Sequence, residues 1–247
     1  MRKLRADGNS MYFTASAPFQ SGSSLKSSTV ERTFDFAYDM TFGKQGEHRH
    51  HRSGGTHMRR QGEIFADTFQ GKLAEFAVYH CLYKDFDINV PDLEVWDLGK
   101  WDSCDLIANG AKIAIKSTKA FGQLLLLETK DWDINGSYIP NSETQEGEYD
   151  IFILVRMKPF CADILKEHKL YYSDTADYDS LKSAVCSEKW DYDIPGFITR
   201  DDLKDIIKDK QIIAQGAFLN GKMRMDAENF YCQAGDMHPI ETLKKYI

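Results

Sequence analysis

Cysteine is scarce and unpatterned in this chain. Five cysteines, an odd number with no C-x-x-C pair, are scattered through 247 residues. That argues against a disulfide framework and predicts reduced thiols in a cytoplasmic setting. Long apolar runs are also missing. No stretch approaches the ~20 residues needed to cross a bilayer, and the opening "MRKLRADGNSMYF" has no apolar signal-peptide core, so no membrane partner is expected. Internal repeats and an obvious domain boundary are absent as well. What remains is ordinary for a globular protein, with 42% hydrophobic and 28% charged residues. The length suits one generous domain, 1–247.

The net charge of -7 is unevenly spread. Residues 1–60 hold 10 Lys+Arg against 5 Asp+Glu, and the remainder holds 21 against 33. The first segment therefore reads as a basic arm, either solvated or gathered on one face toward nucleic acid. Its first 30 residues, rich in Ser, Gly and Ala, read as loop. "TFDFAYDMTFG" (33–43) alternates like a strand. "IFADTFQGKLAEFAVYHCLYKDF" (64–86) predicts a helix with one broad apolar face.

Beyond it, "VPDLEVWDLG" reads as strand or turn. "QLLLLETKDW" predicts a central strand, and "YDIFILVRMKP" a second buried strand ended by Pro159. Thr199 is placed to cap a helix through "RDDLKDIIKDK". "AFLNGKMRM" predicts a small hairpin, and "HPIETLKKYI" a closing helix with Pro239 in its first turn. The expected fold class is α/β, a central mixed β-sheet flanked by helices.

The chemistry concentrates in "CDLIANGAKIAIKSTK" (104–119). Asn109-Gly110 is a strong signal for a two-residue type I′ turn. That turn opposes Ala108 to Ala111, Ile107 to Lys112, Leu106 to Ile113, and Asp105 to Ala114. Alternation then puts Asp105, position 114 and Lys116 on one face, with Leu106, Ile113 and Ile115 on the other. An acid, a second acid and a lysine so placed suit phosphodiester hydrolysis. Carboxylates hold Mg²⁺, and a lysine positions water or stabilises the charge that builds on phosphorus.

"D-L-I-A-N-G-A-K-I-A-I-K" resembles the PD-(D/E)xK nuclease superfamily, which includes many type II restriction endonucleases. The resemblance covers about residues 65–160. It implies a restriction-endonuclease-like core and a Mg²⁺-dependent endonuclease acting on double-stranded DNA. Asp105 matches the first metal-binding acid, with the Ile115 carbonyl as a further ligand. Lys116 matches the catalytic lysine, and Glu75 in "GKLAEF" a supporting helical glutamate. Ala114 stands where Asp or Glu is expected. Three readings stay open: an inactivating substitution, a variant in which Glu75 or Glu128 supplies the ligand, or a nuclease-like fold that only binds DNA. Asp102 is nearby, but its parity points it away from Asp105.

DNA contacts are expected from the basic loop "HRHHRSGGTHMRR", through Arg49, His50, His51, Arg52, Arg59 and Arg60, and from Ser117, Thr118 and Lys119 after the lysine. Zinc binding by His48, His50, His51 and His57 has no supporting spacing. Trp96, Trp101 and Trp132 read as core rather than base-stacking platforms. A homodimer is expected if the target is palindromic. A repair or recombination nuclease of the same fold is the alternative enzyme.

Overall fold

A computed structural model describes residues 1–8, 10–43, 59–94, 104–140 and 148–247. The first half contains β1 (Arg5–Asp7), β2 (Met11–Phe13), β3 (Ser23–Ser24), α1 (Ser27–Met40) and α2 (Gln61–Leu82). There follow β4 (Leu106–Ala108), β5 (Ala111–Lys119), β6 (Leu124–Glu128) and β7 (Ile151–Lys158). The second half adds α3 (Cys161–Glu167), α4 (Tyr178–Cys186), β8 (Asp191–Thr199) and α5 (Arg200–Lys208). It ends with β9 (Ile212–Ile213), β10 (Phe218–Leu219), β11 (Met223–Arg224), β12 (Asn229–Gln233) and a 3₁₀ helix, Ile240–Lys245.

The fold is mixed α/β. Its main sheet has five strands in the order β3-β8-β7-β5-β4, with β5 and β7 parallel and the other neighbours antiparallel. Alternation along β5 divides the interior into two cores. Ile113 and Ile115 join the residues of α1, α2, α3 and α4 on one face. Ala114 joins α5, β6 and β12 on the other, where the three-stranded sheet β6-β12-β9 forms a cover. A third, four-stranded sheet, β1-β2-β10-β11, packs beyond it. Among the described residues, no helix is long and apolar enough to cross a membrane.

Several expected elements are present. The hairpin has the predicted register, and Asn109 and Gly110 both take positive φ, at 48° and 86°. β7 is buried at all but its last residue. Thr199 caps α5, and the Asn220-Gly221 turn joins β10 to β11. α2 is buried around most of its circumference rather than along one face, because it lies between α1 and the sheet.

Four readings need correction. Residues 33–43 lie largely in α1: Val30, Phe34 and Ala37, spaced for a helix, enter the core with Thr33. Residues 1–30 are not all loop, since β1 and β2 pair with each other and β2 with β10, more than 200 residues away. Among the described residues β6 is the edge strand of the small sheet, not a central strand. It reads as continuously apolar because Leu125 and Leu127 enter the second core while Leu124 and Leu126 face the third. The closing segment is 3₁₀, with Pro239 at its N-cap rather than in its first turn.

Candidate functional site

The tight Asn109-Gly110 turn fixes what stands beside β5. Pairing between β4 and β5 ends at Leu106↔Ile113. Beyond it, Asp105 takes over the next backbone donor: its Oδ2 accepts the Ile115 N–H at 2.6 Å. A residue's N–H and C=O point to the same side of an extended strand, so the Ile115 carbonyl points to this edge too. A carboxylate and a carbonyl therefore share the β4 side of β5. The bond is charge-assisted, and such bonds contribute about 1.5–3 kcal/mol, enough to hold the Asp105 side chain in one orientation.

Ala114 and Lys116 lie on the face of β5 that looks to the second core, as the alternation requires. Ala114 is 4% exposed and packs in the cluster that contains Leu125, Leu127, Trp132 and Phe152. Lys116 is exposed, and its ammonium has no hydrogen bond or ion pair with described residues. Tyr149 lies within electrostatic reach of Asp105. Burial first, and the Asp105 charge second, push its phenol above the usual value, so it stays neutral. The Trp132 ring lies 6.0 Å from Tyr149 and 5.2 Å from Phe152.

The other expected contributors are placed as follows. Glu75 belongs to α2, in the helical layer across the sheet from Ala114, and its carboxylate receives the Lys72 ammonium at 2.8 Å. Glu128 ends β6 with the parity of Leu124 and Leu126, which faces away from Ala114. Arg59 pairs with Asp67 at 3.1 Å, and Arg60 pairs with Asp174 at the start of α2. Ser117 and Thr118 continue β5, and Lys119 ends it in an ion pair with Asp163 at 2.8 Å. Such part-exposed pairs contribute about 0–1 kcal/mol, so a phosphate can compete for this lysine. Arg49, His50, His51, Arg52, the other loop histidines, Trp96, Trp101 and Asp102 lie outside the described residues. Trp132 is buried, as expected of a core residue.

The donor set suits a hard cation only in part. Asp105 and the Ile115 carbonyl offer two oxygens on one edge, and Mg²⁺ takes oxygen ligands completed by water. Among the described residues no group of three or more His, Cys, Asp or Glu side chains gathers for a metal. Sequence reasoning missed Tyr149 and Tyr138, which come from a polar-looking segment and join Trp132 only through tertiary packing.

Comparison of the chain with known protein families, with curated proteins and with solved structures gives no match.

Proposed function

We propose that the chain carries the framework of a Mg²⁺-dependent endonuclease for double-stranded DNA, of type II restriction kind, with its second metal-binding acid replaced by Ala114. The observation that carries this reading is the β5 edge. Asp105 is fixed on the Ile115 amide, position 114 is next to it, and Lys116 stands two residues on with its charge unspent. A bound Mg²⁺, held by Asp105, the Ile115 carbonyl and an acid at 114, would polarise a phosphoryl oxygen and acidify a water. Lys116 orients the attacking water and offsets negative charge as the phosphodiester bond is cleaved. Tyr149 stays a neutral phenol and does not serve as a base at ordinary pH.

With alanine at 114, the chain binds DNA and does not cut it. The Ala114→Asp and Ala114→Glu variants, incubated with a panel of plasmid and phage DNAs, are expected to cut in Mg²⁺ and not in EDTA. No gain of cutting on any substrate would remove the endonuclease reading.

One observation favours a second reading, a non-catalytic DNA-binding protein. Ala114 packs closely among apolar side chains, where an added carboxylate would be desolvated. DNA binding by the restored variants without cleavage would favour it.

A further inference from the structure

The parallel strands β5 and β7 end side by side, at Lys119 and Lys158. Outside their carboxyl ends is a cavity of about 630 Å³, a volume typical of small-ligand sites. The carboxyl ends of parallel strands are also where α/β sheets commonly take ligands. Phe19, Phe121 and Phe160 line the cavity together with Lys119, Lys158 and Asp163.

Phe121 is 72% exposed. It sits on a tight turn closed by the Gly122 N–H donating to the Lys119 carbonyl at 2.7 Å. A Cβ at Gly122 would stand 2.5 Å from the Thr118 side chain, so the turn lies flush on the strand and holds the ring out at the cavity mouth. The Lys119 ammonium stands 5.7 Å from the Phe121 ring centre and 5.2 Å from that of Phe160. The Lys158 ammonium is exposed and has no hydrogen bond or ion pair with described residues.

We propose that this cavity binds a nucleotide, its base stacked on Phe121 and Phe160 and its phosphate held by Lys158 and Lys119. Aromatic walls select a flat ring without regard to base identity, and the ammonium groups select an anion. Lys116, three residues before Lys119 on β5, points to the opposite face of the strand and does not line this cavity. The assignment rests on the nucleic-acid reading of the β5 edge but not on cleavage. A free nucleotide and a strand nucleotide present the same chemistry.

The test uses the full chain and three probes: 2-aminopurine deoxyriboside monophosphate, a single-stranded oligodeoxynucleotide carrying one 2-aminopurine, and the same strand in duplex. A saturable fluorescence change is expected with at least one of them. Binding of the monophosphate as tightly as the strand identifies a free nucleotide as ligand, and binding of strands alone identifies nucleic acid. Phe121→Ala, with folding checked by circular dichroism, is expected to weaken binding about tenfold. Lys158→Ala is expected to weaken it and flatten its salt dependence. No saturable change with any probe, or unaltered affinity in both variants, overturns the proposal. Cutting by the Ala114→Asp chain, scored separately, distinguishes the two readings. Nucleotide binding without cutting retains the cavity and removes the nuclease. Cutting without nucleotide binding does the reverse.

Discussion

Glu128 carries a cost that its neighbours only partly relieve. Its Oε2 is buried without a hydrogen-bond donor, and the Lys130 ammonium is 3.5 Å away, too far for a good hydrogen bond. Burial raises its pKa above the ordinary 4.5, Lys130 opposes that, and Asp131 and Asp226 add to it. The folded state therefore holds this proton more tightly than the unfolded chain. The resulting stabilisation is complete below pH 4.5 and is lost as pH rises through the folded-state pKa. Glu128→Gln removes the titration. Denaturant midpoints should show the variant more stable than the parent at neutral pH, with the advantage shrinking toward pH 4.5. Equal midpoints at neutral pH would contradict this account.

The hairpin register from Leu106↔Ile113 to Ala108↔Ala111 was legible at this scale because a two-residue turn leaves no freedom in register. Tyr149 was not, because nothing in "EGEYD" records that its ring packs with Trp132 and Phe152 within reach of the Asp105 charge.

Among the elements, α5 shows how a local rule survives in the fold. Thr199 Oγ1 accepts the Asp202 N–H at 3.1 Å, and Asp202 Oδ2 accepts the Thr199 N–H at 2.8 Å, a reciprocal cap. The same Asp202 oxygen lies 2.9 Å from His238 Nε2, tying the cap to the C-terminal segment. Thr199→Ala is expected to lose about 1 kcal/mol, lowering the melting temperature by about 2–4 °C in a chain of this size. Thr199→Ser should keep most of it, and an unchanged melting temperature in the alanine variant would refute the cap's role. Where local and tertiary signals disagree, tertiary packing decides. α1 hides behind an alternation of Phe34, Phe36 and Tyr38, yet Val30, Phe34 and Ala37 are the residues that the α2 layer covers. β6 looks central in sequence because it is sandwiched between two cores, although it is an edge strand by hydrogen bonding.

At the scale of the whole molecule, three sheets share the work. The five-stranded sheet supplies the β5 edge, the three-stranded sheet covers the face that Ala114 enters, and the four-stranded sheet joins the chain's two ends. Of the first, the hairpin and β7 were legible, because they are local and strongly patterned, whereas β3 and β8 were not read as strands. The pairing of β2 with β10 was not legible, because two short strands more than 200 residues apart leave no local trace. Arg156 shows how distant parts are fastened. It is 2% exposed, binds Asp193 through Nε at 2.8 Å, and donates to the Ala17 and Pro18 carbonyls. The N-terminal segment is thereby held beside the cavity that Phe19 helps to line.

The central claim is that Asp105, position 114 and Lys116 form one phosphodiester-cleaving edge. The most direct measurement is the single-turnover cleavage rate of Ala114→Glu DNA complexes in Mg²⁺, with and without the added substitution Lys116→Met or Asp105→Asn. Cutting by the single variant, and a loss of 10²-fold or more in each double variant that still binds DNA, is the expected result, on the order of what positioned proton-transfer or charge-stabilising groups contribute. Cutting that persists when Lys116 or Asp105 is removed would contradict the account.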